Sequence, residues 1–521
     1  MEPKLLIEKI TQTLLLIIIS GTPILKANLA NAQNCREVIG YYPNWQWYDR
    51  NKLVNPQSID YSKYTIINYS FFAPQADGTI DATDDWADEN LLLGEINWAS
   101  GGYYPNTSIV ELAHNNGVKI IPAIGGWTLS DNFPIIAADP QKRATFAQSC
   151  VDLIQTYNFD GIDIDWEYPG FATHGGTAQD ITNFNLLLQD IRTAIDNYGN
   201  SIGKTMILSA CVSADPNKMD DIDWNTIAQQ VDYINLMSYD FFGAFDPITN
   251  HNSPLKAPAQ GNPAFNLDAA VQTLLNTYQV DPAKLNAGIA FYGRSQTTVS
   301  SPGLHVQGTG QADLNTFGTD QGTPLYYNVM SSLSQFDYHW DSLAKTPYLT
   351  GKNGLNTFVS FDDERSVALK AEYIVEQDLA GAIIWEITGD YMETTPGSGI
   401  IAGTPLADTI NNVFCNYIPN SPDTTGNGGN GNPGLRIDEV IKPLVSVYPN
   451  PANSSVSINF NRKVSAVLKL RSSEGRLIKQ SEIYADHYTL EDIAELAAGM
   501  YFLEVDYLLI NQTEVLKIIR K

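Results

Sequence analysis

Eight short apolar runs recur between residues 37 and 417, with helix-period stretches between most of them. The runs cover residues 38–42, 64–72, 118–125, 159–167, 205–212, 231–239, 285–292 and 380–386. Strands that alternate with helices run parallel, because each crossover returns the chain to its starting side. Eight such units in one stretch predict an α/β fold, a (β/α)8 TIM barrel. The alternative is an open doubly wound sheet. Its glycine-rich strand-to-helix turn is missing here, and the count of eight argues for closure.

Two gaps interrupt the alternation. Residues 77–106, rich in Asp, Trp and Gly, separate the second and third runs. A longer segment, about 295–355, precedes the eighth; it is too long for a structureless loop and reads as an inserted α+β lobe. Residues 418–440, dominated by Gly, Asn and Pro, read as a flexible linker. From 441 to 521 the apolar period falls to two, as in Val456, Ile458 and Phe460, with a hairpin signal at Glu474-Gly475. This predicts a small C-terminal all-β sandwich. At the N-terminus, Lys4 and Lys9 precede a short apolar run and the small-residue site Ala30-Asn31-Ala32. Residues 1–32 therefore read as a signal peptide, and no segment has the length of a membrane span.

Acidic residues outnumber basic ones 58 to 31, giving a net charge of −27 that repels phosphate backbones and anionic lipids. Nucleic acid is thus not an expected partner; a neutral polymer fits better. The four cysteines, Cys35, Cys150, Cys211 and Cys415, lack zinc-ligand spacing. Cys35 and Cys415 flank the large domain, where a disulfide would tie its ends. Cys150 and Cys211 read as buried thiols.

The chemistry concentrates in the fourth run, Asp160-Gly161-Ile162-Asp163-Ile164-Asp165-Trp166-Glu167-Tyr168. Alternation along a strand puts Asp163, Asp165 and Glu167 on one face, roughly 6–7 Å apart, and Ile162, Ile164 and Trp166 on the other. In a barrel the apolar face packs on helices, the acidic face points inward, and Glu167 reaches the C-terminal mouth. Three carboxylates on one buried face cannot all ionise, so one keeps a proton near neutrality, as a general acid must. A calcium loop would need a glycine at its sixth position and no interleaved apolar residues.

This segment resembles the DGxDxDxE signature of glycoside hydrolase family 18, the chitinases. Other pieces agree in order: Gly40-Tyr41-Tyr42-Pro43-Asn44-Trp45, Ala123-Ile124-Gly125-Gly126-Trp127, Met237-Ser238-Tyr239-Asp240, Phe291-Tyr292-Gly293-Arg294, Phe361-Asp362-Asp363 and Gly381-Ala382-Ile383-Ile384-Trp385-Glu386. The resemblance spans about residues 37–415 within a catalytic domain of 33–417. Gly125 is expected to leave room for ligand at the mouth. Ala123 stands where the family often has Ser, which predicts the loss of one hydrogen bond to the buried acids. Ala290 replaces a common Pro and Phe242 a common His.

The resemblance implies retaining, substrate-assisted hydrolysis of β-1,4-linked N-acetylglucosamine in chitin and chito-oligosaccharides, with no metal or other cofactor. Glu167 is then the general acid and base, Asp165 orients the acetamido group, Asp163 shares a proton with Asp165, and Tyr239 hydrogen-bonds the acetyl carbonyl. Trp385, Asp240, Tyr292, Arg294, Trp127, Trp45, Tyr41, Phe71 and Met237 form the implied substrate-binding set. An endo-β-N-acetylglucosaminidase shares this strand, whereas a chitin-binding lectin that has lost catalysis typically lacks the acid. In the tail, Val447-Tyr448-Pro449-Asn450-Pro451-Ala452, Gly499-Met500-Tyr501 and the final Lys517-Ile518-Ile519-Arg520-Lys521 resemble the type IX secretion C-terminal sorting domain. It implies passage through that machinery to the surface or exterior of a Gram-negative bacterium.

Overall fold

The computed structural model describes residues 36–417 except 221, and 445–521 except 474, 492 and 508–511. The proposed signal peptide, Cys35 and with it the expected bridge to Cys415, and the linker lie outside the described residues.

All eight expected strands are present: β1 (Glu37–Pro43), β2 (Ile66–Pro74), β3 (Lys119–Gly125), β4 (Gly161–Asp165), β5 (Ile207–Ser213), β6 (Tyr233–Met237), β7 (Leu285–Ala290) and β8 (Gly381–Trp385). Each pairs in parallel with its neighbours, and the β1–β8 and β1–β2 ladders close the cylinder. Helices with one apolar face pack around it, such as Pro140–Tyr157 and Asp180–Ile202. The first begins because the Asp139 carboxylate accepts from the amides of Gln141 and Lys142 and Pro140 fits the first turn. It stops where Asn158 turns left-handed at φ 58°.

Two cores result. The larger fills the space between strands and helices. There Trp166 is buried, stacked on Phe133 with ring centroids 5.3 Å apart and met edge-on by Phe184 at 5.6 Å. Contacts of this kind in a buried Trp are worth about 3–5 kcal/mol against truncation. A smaller apolar cluster inside the cylinder includes Ile39, Ile66, Ile121, Ile207 and Ile383. The buried polar groups Asn68, Asp163, Asp165, Ser209, Asn235 and Asn286 also belong to the strands.

The inserted lobe is an antiparallel sheet in the order Arg294–Thr297, Thr357–Ser360, Thr346–Gly351, Phe336–Asp341, with the helix Tyr326–Ser332. Its first and last strands along the chain, Arg294–Thr297 and Thr357–Ser360, run beyond the expected bounds and pair with each other, Arg294 opposite Ser360. Residues 77–106 hold short elements, among them Ile80–Ala82 added antiparallel to β2. The C-terminal region is all-β, with strands Val445–Tyr448, Val456–Ser472, Leu477–Leu490, Gly499–Tyr507 and Gln512–Arg520. The long second strand pairs with three others and breaks register between Asn459 and Val464. Val456, Ile458, Leu468, Leu503 and Val505 lie in its core.

Candidate active site

The acidic strand is phased as expected. Asp163 and Asp165 are buried inside the barrel, and Glu167, two residues beyond the end of β4, is half-buried at the mouth. Asp163 is the best supported of the three. Its Oδ2 accepts from Tyr41 Oη at 2.7 Å, and its Oδ1 from Ser209 Oγ at 2.5 Å and Asn235 Nδ2 at 3.2 Å. Burial raises its pKa and these donors oppose the rise. The donors come from β1, β5 and β6. Ala123, in register with Asp163 on β3, removes a donor on one side only.

Asp165 Oδ1 is buried without a hydrogen-bond partner. Burial, the neighbouring Glu167 and then Asp163 hold this carboxyl well above the usual carboxylate range. Glu167 is pushed from 4.5 up to about 7 by burial; Tyr168 hydrogen-bonds it and opposes the rise, and Asp240 adds to it. Lys218 Nζ, 4.6 Å over the Tyr168 ring, draws the other way. The backbone of Glu167 is fixed on both sides. Its amide donates to Ser130 Oγ at 2.9 Å, and His174 Nδ1 lies 2.7 Å from its carbonyl oxygen.

Tyr239, two residues past β6, is half-buried and meets Tyr292 edge-on at 6.0 Å. Gly288 makes room for it: a Cβ there would stand 2.8 Å from the Tyr239 ring. Asp240, at φ 60°, accepts from Tyr292 Oη at 2.5 Å and Arg294 Nε at 2.6 Å. The rim at Asp240 is therefore polar even with Phe242, which packs on Phe265 instead.

The aromatic residues divide into two groups. Trp385 lies 5.6 Å from Phe71, nearly parallel, 5.6 Å from Tyr41 and 6.3 Å from Trp45. Met237 is buried in the same inner cluster. Trp127 stands apart, half-exposed, against Phe171 at 5.8 Å and His174 at 4.8 Å. Gly125 does not make space for ligand as expected. A Cβ there would sit 2.2 Å from the Asp165 carbonyl oxygen, so the glycine, at φ 112°, lets β3 close on β4.

Sequence reasoning missed Tyr168, Lys218, His174, Ser130 and Ser209. Ser209 could have been found from strand phase, being level with Asp163 on β5. The others sit in loops or short turns with no periodic signal.

A closed barrel with one carboxyl at its mouth and another buried beneath it is the arrangement of a glycoside hydrolase. Residues 37–390 match the glycosyl hydrolases family 18, and the chain belongs to that family. Residues 446–520 match the secretion system C-terminal sorting domain, so the chain is exported to the cell surface or beyond. It is 32% identical over 465 residues to Chitinase A1 of Niallia circulans, covering 80% of this chain and 65% of that protein. It is 31% identical over 443 residues to Chitotriosidase-1 of Mus musculus, covering 81% of this chain and 89% of that one. The crystal structure of an Ostrinia furnacalis Group IV chitinase in complex with allosamidin superposes with a TM-score of 0.63 at 31% identity, over 73% of this chain and 99% of that chain. No helix among the described residues is long and apolar enough to cross a membrane.

Proposed function

We propose that this chain is a secreted chitinase that cleaves β-1,4-linked N-acetylglucosamine polymers with retention of configuration. The observation that carries the proposal is the pair Glu167 and Asp165: one carboxyl at the mouth that burial pushes up to about 7, the other beneath it with a buried oxygen that no protein donor meets. Glu167 gives its proton to the glycosidic oxygen. The acetamido oxygen of the substrate attacks the anomeric carbon as the glycosidic bond breaks, forming an oxazolinium ion. Asp165 accepts from the acetamido N–H and offsets the positive charge, and Asp163 shares a proton with it as it turns. Tyr239 donates to the acetyl group. The Glu167 carboxylate then takes a proton from the water that opens the ion on the same face.

Trp385 floors the sugar site beside Tyr41, Phe71 and Met237. Asp240, Tyr292 and Arg294 hold hydroxyl and acetyl groups, and Trp45 and Trp127 serve sugars farther along the chain. The net charge of −27 suits a neutral polysaccharide and disfavours nucleic acid. The match to a secretion sorting domain supports type IX machinery as a second partner, with residues 1–32 as signal peptide and 418–440 as linker.

The test is Glu167→Gln assayed on colloidal chitin and soluble chito-oligosaccharides. Turnover at the wild-type rate would end the proposal. Faster release from N-glycoproteins than from chitin would instead identify an endo-β-N-acetylglucosaminidase.

A further inference from the structure

Cys211 has no part in the mechanism above, yet it lies among the residues that perform it. It sits on β5, is 3% exposed, and belongs to the cluster inside the barrel. Its Sγ is 2.9 Å from Tyr41 Oη and 3.7 Å from Asp163 Oδ2. On the paired strands Asp163 faces Ser209 and Ile164 faces Ala210, so the next step sets Cys211 beside Asp165.

Counting protons fixes what the thiol does. Tyr41 has one hydroxyl proton and donates it to Asp163. With that proton committed to Asp163, the one proton on the sulfur is the donor left to share among Tyr41 Oη, Asp163 Oδ2 and Asp165. The thiol keeps its proton, because burial and then the charges of Asp163 and Asp165 oppose a thiolate. It acts as a donor and not as a nucleophile. Asp163 already has donors in Tyr41, Ser209 and Asn235, whereas Asp165 Oδ1 has none. On the other flank of β4, Ala123 offers no side-chain donor at all. The ionisable groups facing the sulfur are Tyr41 from β1, Asp163, Asp165 and Glu167 from β4 and its end, and Tyr239 beyond β6.

We propose that Cys211 is a positioning residue whose S–H, turning about a single bond, reaches both aspartates and supports Asp165 as that carboxylate takes hold of the substrate. The proposal rests on the role given to Asp165 above. Removing the thiol withdraws a donor that favours ionised Asp165, so the acidic limb of the kcat profile moves to higher pH.

The experiment compares kcat, KM and the pH profile of wild type, Cys211→Ala and Cys211→Ser on a soluble chito-oligosaccharide, with melting temperature followed in parallel. In Cys211→Ala, kcat falls about three- to tenfold with KM within about twofold, and the acidic limb rises by about half a pH unit. Cys211→Ser, which keeps a donor of similar reach, restores the limb. An acidic limb in Cys211→Ala that coincides with wild type overturns the proposal, as does a Cys211→Ser enzyme no better than Cys211→Ala at matched stability. Glu167→Gln is run alongside. If it is inactive while Cys211→Ala is unaltered, only the role of Cys211 fails; if it stays active, the function itself was misread.

Discussion

Glu167→Gln should make the folded protein more stable in a pH-dependent way while abolishing turnover. The wild-type carboxyl is raised from 4.5 to about 7, chiefly by burial. Between those values the folded protein holds a proton that the unfolded chain has released, so wild-type stability falls as pH rises through this window. Below pH 4.5 both states are protonated and the group costs nothing; above 7 the full penalty applies. A shift of this size corresponds to a ceiling of about 3 kcal/mol at pH 7. Glutamine keeps the shape, has no proton to lose, and removes the like charge beside Asp165. The melting-temperature gap between variant and wild type should be near zero at pH 4.5, widen to a few degrees by pH 7, and then level off. Scanning calorimetry from pH 4.5 to 8 measures it. A gap that is constant across this range would refute the assignment of a protonated Glu167.

Trp127→Ala should leave the melting temperature unchanged, since the ring is 51% exposed, and raise KM on long chitin chains by about three- to tenfold in steady-state assays. Lys370→Met should cost about 3–5 kcal/mol in urea unfolding, because it strands Asp362 in a pair whose side chains are both fully buried. Gly161→Ala should lose about 1–3 kcal/mol and most activity: the new Cβ would meet the Ile207 carbonyl oxygen at 2.1 Å and push apart the strands that carry Asp163 and Ser209.

The barrel was legible because each strand is an apolar run bounded by polar loops, and the phase of Asp163, Asp165 and Glu167 followed from the period of two. The partners of those acids were less so. Tyr41, Ser209 and Asn235 come from strands far apart in sequence, and only closure of the cylinder brings them to one carboxylate. Gly125 was misread for a similar reason: its lack of a side chain admits a neighbouring strand's backbone, which no single-strand pattern reveals. His174 and Lys218 reach the acid from single helical turns, Ala172–His174 and Pro216–Met219, too short for a periodic signal.

Trp127, Glu167, Tyr239 and Tyr292 each stand two positions past the last residue of β3, β4, β6 and β7. That common offset makes the enzyme tolerant and intolerant of insertions in different places. An extra residue farther along a loop should leave these four side chains aimed as before. One extra residue between strand and functional side chain turns that side chain outward, away from the substrate. Diversification of such a scaffold by changing chain length is thus confined to segments beyond this two-residue margin.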